Sequence, residues 1–573
     1  MIWKLENNED IFKDDLFGDE SLDLHPKVLA LLLKRGVKTK NEIKKFIFPN
    51  YEEDVLNPFL FVEMEKAIER LKLAREKKEK ILIFGDYDAD GITSSLVLKT
   101  ALDEAGFESA VYIPSKELEG YGLNDEALIK FSQEGFNLVI TVDCGITNNN
   151  EVEGAKKIGM DVIVTDHHNI PPELPEAVAV IDPKIENCGY PQDNLAGVGV
   201  AFKFAQAVYE TFAPEKKEKI KWLLDLVAIG TVADLVPLVG ENRTLVKYGL
   251  LVLSKTKRIG LQEMFKVGRI LIDENNFPDS QKISFQIAPR INAASRMTHA
   301  QRAFDLLAEE NRILARDMAL DLEDQNARRQ KETAQVVSEA EKYAENFFKD
   351  KNFILVANKN FPIGIIGLVA GRLADRFRKP VAVLKKEEEE SKGSFRSIPQ
   401  INIMEVIGKC SDLLIKYGGH NQAAGITIKN ENLEKFYEKM SQLIDKELEG
   451  KEISPEIKVD LELSADDIGM KLADDLKKME PFGQGNEKPV FMMKNLTVKD
   501  LRWVGNGEKH LKLYLHPADA GPRIFEAIGF NLSERFKKLQ IGEKINLLFH
   551  LEQDEWNGSK KIQMKIVDLN LVD

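Results

Sequence analysis

The sequence predicts an α/β protein: a parallel-sheet lobe, a long connecting helix, a second α/β lobe and a small C-terminal β-barrel. Three observations carry that prediction. From about residue 56 to 215, short apolar runs alternate with helical stretches, as in an open parallel sheet. From about 301 to 348 there is neither Pro nor Gly, and helix formers run throughout, which reads as one helix joining two lobes. From about 455 onward, five strand-like runs separated by turn residues occupy roughly 115 residues, the size of an OB-like barrel.

Taken in order, residues 1–55 form an N-terminal appendage with helical periodicity in HPKVLALLLKRG. Residues 56–300 make the first lobe. Its apolar runs ILIF (81–84), LVITV (138–142), VIVT (162–165) and AVAVI (177–181) are each bounded by turn residues, with SSLVLKTALDEAG and NNNEVEGAKKIG as helices between. Residues 218–255, containing WLLDLVAIGTVADLVPL, read as helix, and 301–348 as the connecting helix. In the second lobe, 349–450, NFILVAN (352–358) and PVAVL (380–384) read as strands around the helix IIGLVAGRLADRF, while KKEEEESKG reads as a solvated loop. In the last region, 455–573, the strands are IKVDLEL, VFMMKNLTVKDLRWV, HLKLYLH, IFEAIGF and INLLFHLEQ, and Trp503 and Tyr514 are open to either core or surface roles.

Length sets the scale: 573 residues exceed a single core. A hydrophobic fraction of 43% and a charged fraction of 30% are those of a globular chain with no membrane partner, and no apolar run approaches the ~20 residues of a bilayer span. The N-terminus MIWKLENNEDIFKDD lacks the apolar core of a signal peptide. Cys144, Cys188 and Cys410 are odd in number and far apart, so neither a disulfide framework nor a cysteine–zinc site is expected, and a reducing cytoplasm is the default location. A net charge of -14 argues against a surface that attracts nucleic acid everywhere, but leaves room for a local basic channel.

The chemistry is concentrated at strand ends. GDYDADG (Gly85–Gly91) follows ILIF and places Asp86, Asp88 and Asp90 on alternate positions, where they repel one another unless a cation lies among them. An EF-hand loop fails on two counts: the twelfth position is Val97 rather than Glu, and the segment before the loop is a strand. Asp143 follows LVITV directly, and Asp166, His167 and His168 follow VIVT directly. Ligands in an open α/β sheet bind at the carboxyl ends of strands, so these positions converge on one crevice. Carboxylates with imidazoles and no thiolate suit Mn²⁺ or Mg²⁺, and two such ions sharing a carboxylate can activate water against a phosphoryl group.

GDYDADG, VDCG, TDHH and TVADLVP resemble, in order, the four phosphoesterase motifs of the DHH superfamily, and NAASRM, GSFRS, GGHNQAAG and PFGQGN resemble the remaining signatures of the RecJ family of single-strand-specific 5′→3′ DNA exonucleases. The motifs span residues 80 to 486. The resemblance implies two ions, with Asp88 and Asp90 on one each, Asp143 bridging, and His167 and Asp234 completing the second. It further implies that His168 faces the scissile phosphate and that Asp166 orients the imidazoles. Asp86 stays open between metal contact and capping the turn before the helix at Ile92. Asp234, alone in an apolar helix, would ordinarily be a hydrogen-bonded core residue, and only the resemblance makes it a ligand.

Substrate contacts implied in the same way are Arg296, Ser394 and Arg396 for a terminal 5′-phosphate, and Gly418, Gly419 and His420 for strand phosphates, with the barrel tracking the strand. Single-stranded DNA is then the substrate, repair and recombination the setting, and a single-stranded-DNA-binding protein and a helicase are partners by family analogy alone. Two departures stand out: Ser295 replaces the usual Gly in NAASRM, and Phe361 replaces the usual His in KNFPIGIIG, which removes a polar contact. The competing readings are a DHH phosphoesterase for short oligoribonucleotides or other small phosphoesters, and an inactive single-strand-binding scaffold. A scaffold would be expected to have lost metal ligands, and here the full set is present.

Overall fold

A computed structural model describes residues 2–5, 23–273, 276–451, 456–517, 521–556 and 559–572; the acidic stretch 6–22 and the boundary expected at 455 lie outside them. The chain forms two units. One comprises Asn57–Asp234 and Tyr248–Ile453; the other is assembled from Met1–Leu56, Leu235–Lys247 and Ser454–Asp573, and includes the first strand, β1 (Ile2–Leu5).

The larger unit opens with a five-stranded sheet of β2 (Lys80–Gly85), β3 (Ser109–Tyr112), β4 (Phe136–Val142), β5 (Asp161–Thr165) and β6 (Ala179–Ile181), in the order β3-β2-β4-β5-β6 and parallel throughout. Its central strands are continuous apolar runs because helices cover both faces. Strand β3 escaped the sequence reading: it is four half-buried residues at the edge, with no apolar run. Strands β2, β4 and β5 are immediate neighbours, so the three acidic segments that follow them emerge side by side.

Two helical expectations are corrected. The stretch 218–255 is not one helix. A 3₁₀ segment (Pro214–Leu223) leads into a helix (Leu224–Ala233), Leu235 turns left-handed at φ 61°, and a new helix (Gly240–Ser254) begins beyond Pro237, which cannot continue the earlier one. The connecting helix is likewise divided into Gln301–Ala308 and Arg312–Phe347, because the Asn311 side chain accepts from the N–H groups of Ile313 and Leu314 and starts a second helix of 36 residues.

The second sheet contains β7 (Ile354–Asn358), β8 (Val381–Lys386), β9 (Glu390–Arg396), β10 (Leu414–His420) and β11 (Ala423–Lys429), in the order β10-β11-β9-β8-β7. Most of KKEEEESKG is therefore strand, with only Glu387–Glu389 turning between β8 and β9. Ser391, Gly393 and Phe395 point inward, so Ser394 and Arg396 share the opposite face by the two-residue period. That face meets the helix Ile366–Phe377. GGHNQAAG forms the β10–β11 hairpin, with Gly418 opposite Gly425 and His420 opposite Ala423.

In the smaller unit, β12 (Glu456–Val459) pairs in parallel with β1, and a six-stranded sheet of β13 (Leu461–Glu462), β14 (Phe491–Val504), β15 (His510–Pro517), β16 (Phe525–Gly529), β17 (Lys544–Trp556) and β18 (Ser559–Leu571) closes through a β14–β17 pairing. Strand β18 was not anticipated, because its apolar residues only alternate with lysines and other polar ones. The helices Pro26–Lys34 and Lys40–Ile47 send Val28, Leu31, Leu32, Ile43 and Ile47 into the barrel core beside Leu513, Leu547 and Phe549. PFGQGN is a fastening within this unit: Asn486, fully buried, donates to the carbonyls of Met479 (2.9 Å) and Pro481 (2.8 Å), and its Oδ1 accepts from Arg35. Trp503 packs against the core, whereas Tyr514 lies on the outer face between Arg502 and Lys512. Among the described residues, no helix is long and apolar enough to cross a membrane.

Candidate metal centre

Strand β2 ends at Gly85, and within three residues the chain enters the helix Ala89–Glu104. Asp88 caps this helix, its Oδ1 accepting from the N–H groups of Asp90 (2.9 Å) and Gly91 (3.2 Å). The capping role considered for Asp86 therefore falls to Asp88, the residue immediately before the first helical turn. Asp86 is instead 5% exposed, with Oδ1 unpartnered. Asp90 accepts from Gly197 (2.8 Å) and Val198 (2.9 Å), the first N–H groups of the helix Gly197–Phe212, whose dipole favours an anion there.

Asp143 leaves β4 at φ 61°, a left-handed conformation that is strained for a residue with a Cβ. Its Oδ1 has no donor and stands 3.1 Å from Nε2 of His167. A Cβ on Gly197 would lie 2.4 Å from that oxygen, so only glycine lets the helix approach the carboxylate this closely. The same imidazole nitrogen lies 3.9 Å from Asp90 Oδ2 and 3.7 Å from Asp234 Oδ2, at the C-terminal end of the helix Leu224–Ala233. Three overlapping groups result, each with possible ligand atoms within 4.8 Å of one another: Asp86–Asp88–Asp143, Asp90–His167–Asp234 and Asp143–His167–His168.

Asp166 commits both oxygens to its neighbours. Oδ1 accepts from the N–H groups of His167 (2.7 Å) and His168 (3.2 Å) and from Nδ1 of His168 (2.7 Å), and Oδ2 accepts from the N–H of Ile146 (2.9 Å). Three residues not singled out from the sequence join the site. Tyr121 places its hydroxyl 3.0 Å from His168 Nδ1 and donates to the Asp143 carbonyl at 3.3 Å. Asn292 Oδ1 accepts from the N–H of Ala89 at 2.8 Å, tying the NAASRM helix to the acidic loop. Asp182 follows the run AVAVI as Asp166 follows VIVT, which was the available signal. It is buried with Oδ2 unpartnered, and burial pushes its carboxyl up to about 8.

The electrostatics demand positive charge. Burial, then the charges of Asp234 and Asp88, push Asp90 well above the usual carboxylate range; burial with Asp90, Asp88 and Asp86 does the same to Asp143. Burial and Asp88 raise Asp86, and push Asp234 up to about 7. Burial and neighbouring His168 push His167 down to about 3, so its Nε2 offers the neutral lone pair that a metal takes. For His168, burial acts downward, but the hydrogen bond and charge of Asp166, with Asp86 and Asp234, prevail and raise it to about 9. Burial would raise Asp166 too, and the His168 hydrogen bond and charge hold it below the ordinary value. Unpartnered buried atoms on Asp86, Asp143 and His167, in an oxygen- and imidazole-only set, fit divalent cations such as Mn²⁺ or Mg²⁺.

Beside this centre lies a cationic pocket. Arg296 donates from Nη1 to the Gly364 carbonyl at 3.3 Å, while its Nε is buried without a partner. A Cβ on Gly364 would stand 2.1 Å from the Arg296 carbonyl oxygen, so glycine is required there. On the outward face of β9, a Cβ on Gly367 would stand 3.1 Å from Ser394 Oγ and 3.4 Å from Arg396 Nη2, and Arg396 also donates to the Phe395 carbonyl at 2.7 Å. Lys116, missed in the sequence, adds its charge to those of Arg296 and Arg396 and places Nζ 4.9 Å over the Tyr87 ring. His420 ends β10 close enough to feel the charges of His168 and Lys184. Gly418 and Gly419 precede it on an edge strand, where alternate backbone N–H groups are open.

The two departures are absorbed locally. Phe361 is 2% exposed within an apolar cluster of Val356, Ile365 and Val369, so the lost histidine is replaced by packing. Ser295 sits inside the helix Ala288–Met297 rather than at a turn, its hydroxyl donating to the Asn292 carbonyl at 3.2 Å.

Comparison with known proteins matches most of the chain. Residues 80–231 match the DHH family N-terminal domain, 350–446 the DHHA1 domain and 459–568 the RecJ OB domain. The single-stranded-DNA-specific exonuclease RecJ of Bacillus subtilis is 38% identical over 551 residues, which are 96% of this chain and 68% of that protein. The RecJ of Haemophilus influenzae is 31% identical, covering 96% of this chain and 97% of its own. The crystal structure of RecJ from Thermus thermophilus in complex with Mn²⁺ superposes with a TM-score of 0.81 at 26% identity, over 96% of this chain and 76% of that one; its Mg²⁺ complex gives 0.73 at 25%, over 96% and 75%.

Proposed function

The chain belongs to the RecJ family, metal-dependent exonucleases of the DHH superfamily that work 5′→3′, and on that premise we propose that it releases 5′-mononucleotides from single-stranded DNA with two divalent cations held among Asp88, Asp90, Asp143, His167 and Asp234. When bound, the ions acidify the attacking water and draw charge from the phosphoryl oxygens. Asp143 belongs to two of the three groups of possible ligand atoms, which supports a role as the shared carboxylate, and Asp86, grouped with Asp88 and Asp143, would offer a further oxygen.

The remaining residues bind and orient. Asp166 holds both imidazoles in place, as an outer partner of a metal ligand does. His168, with Nδ1 committed to Asp166, donates from Nε2 to a non-bridging oxygen of the scissile phosphate. Arg296, Ser394, Arg396 and Lys116 take the terminal 5′-phosphate, and Gly418, Gly419 and His420 meet the strand from the β10 edge. On the barrel, Tyr514 borders an open cavity of about 530 Å³ and offers a base-stacking ring flanked by two cations. The setting consistent with this chemistry is cytoplasmic DNA repair and recombination, with a single-stranded-DNA-binding protein and a helicase as partners.

The observation that carries the reading is the set of unpartnered, buried ligand atoms on Asp86, Asp143 and His167 beside an arginine pocket. Its test is a single-stranded oligonucleotide labelled at either end, with a duplex of the same sequence, incubated with Mn²⁺, Mg²⁺ or EDTA. Metal-dependent mononucleotides from the 5′ end of the single strand are expected. Equal attack on the duplex, or first products from the 3′ end, overturns the reading.

A further inference from the structure

Tyr121 lies in the turn between β3 and the helix Asp125–Gln133, and that turn is tied down at both ends. Glu119 accepts through Oε2 from the N–H of Ser115 at 2.7 Å, and through Oε1 from the Tyr112 hydroxyl and the Asn124 side-chain amide, which closes the turn on itself. Buried Asn148 fastens the far end, accepting from the N–H of Leu123 at 3.2 Å and donating to the Leu123 carbonyl at 3.4 Å. Asn148 belongs to the segment that leaves β4 with Asp143, so the turn and the acidic cluster are fixed to one piece of chain.

The Tyr121 hydroxyl is held in place but has little to donate to. Its oxygen stands 3.0 Å from Nδ1 and 3.5 Å from Nε2 of His168, with the two rings edge to face. The Nδ1 proton goes to the carboxylate of Asp166, which is closer at 2.7 Å and the stronger acceptor. Nδ1 therefore has no lone pair for the phenolic proton. Among the described residues, the one oxygen within reach is the Asp143 carbonyl at 3.3 Å, beyond the ~2.5–3.0 Å usual for a hydroxyl donor. Tyr121 is also 41% exposed, so a ligand can reach it. A donor fixed beside His168, open to ligand and poorly used by the protein, lacks an acceptor that the substrate can bring.

We propose that Tyr121 is a catalytic residue whose hydroxyl, together with Nε2 of His168, cradles one non-bridging oxygen of the scissile phosphate. This rests on the exonuclease reading above, in which Nε2 already donates to that oxygen. Two donors 3.5 Å apart can both reach an acceptor lying about 2.8 Å from each. The transition state of phosphoryl transfer spreads charge over the non-bridging oxygens, so a donor positioned beforehand favours it over the ground state. Tyr121 keeps its proton throughout, and the only bond broken is that from phosphorus to the 3′ oxygen.

The experiment follows single-turnover cleavage by the full chain with Mn²⁺ of 5′-phosphorylated single strands whose first phosphodiester is all-oxygen, Rp-phosphorothioate or Sp-phosphorothioate. Sulfur accepts hydrogen bonds poorly, and one diastereomer alone places it in the cradle. Tyr121→Phe is expected to slow the all-oxygen strand by about ten- to a hundredfold, the scale of one hydrogen bond to a charged group, with strand binding unchanged. On one diastereomer that loss should shrink to within about twofold, because the partner atom is already gone, and on the other it should persist. Wild type alone keeps the test alive if the variant is unstable: the first diastereomer should slow it at least as much as Tyr121→Phe slows the all-oxygen strand, and wild type slowed by neither diastereomer overturns the proposal. An equal loss on all three strands makes Tyr121 a brace for His168 and overturns it too, as does a loss within about twofold on the all-oxygen strand. Wild type that cleaves none of the three instead brings down the exonuclease reading, and this inference with it.

Discussion

Asp143 shows in one residue what the site costs the fold. Its backbone is strained at φ 61°, its carboxylate is buried, and Asp90, Asp88 and Asp86 repel it. Removing the charge while keeping the shape should relieve the last two. Asp143→Asn is expected to lower kcat by about a thousandfold or more and yet to stabilise the metal-free protein by about 0.5–2 kcal/mol. Thermal melts in EDTA check this, and a lower melting temperature than wild type would show that the carboxylate is satisfied without a cation.

At the scale of elements, a buried cation adds to the β1–β12 pairing and the shared core in fastening the smaller unit. Arg243 donates to the carbonyls of Phe46 (2.8 Å), Lys478 (3.3 Å), Glu480 (2.9 Å) and Pro481 (3.4 Å), and its guanidinium lies 3.9 Å from the Phe46 ring centre. Three separate stretches of chain thus meet on one side chain. Burial, with the charge of Arg35, lowers its pKa to about 9, a cost offset by those contacts and by the charge of Glu480. Arg243→Met would take the donor from the carbonyls of Phe46, Lys478 and Glu480, while Pro481 keeps that of Asn486, and a loss of about 3–5 kcal/mol is expected. Urea unfolding followed by the fluorescence of Trp503, which packs on the same core, reads that loss. A change within about 0.5 kcal/mol would mean that solvent reaches those carbonyls.

For the whole molecule, metal binding and protonation are linked. A carboxyl whose pKa is higher in the fold than in the unfolded chain stabilises the fold below the ordinary carboxylate range, and that stability is lost as pH rises through the raised value. For Asp234 the window runs from the ordinary range up to about 7, and Asp86, Asp90 and Asp143 act in the same direction. Mn²⁺ should therefore stabilise the protein strongly at pH 8, by about 2.7 kcal/mol at a hundred times its Kd, and far less at pH 5, where protons hold the same oxygens. Melts at both pH values with and without Mn²⁺ measure it; an equal shift at the two values would place binding elsewhere.

Short-range patterning was enough to read the metal chemistry and the sheet beneath it. ILIF, LVITV and VIVT are short, apolar and bounded, and Asp88, Asp143 and His167 stand at or just past their ends, so strand direction alone converges them. Ser394 and Arg396 came instead from the resemblance of GSFRS to a family signature, since local patterning read most of their strand as a loop. Such patterning failed where a local signal had competitors: Asn311 and Pro237 divide what looked like continuous helices, and β3 and β18 lack an apolar run. Folding alone settled that Asp88 rather than Asp86 caps the helix, that Asn292 and Tyr121 serve the acidic loops, and that Phe361 is core. Periodicity records which face of an element is dry. A hydrogen bond, a missing partner or a counter-charge depends instead on residues up to hundreds of positions away that the chain brings together only on folding.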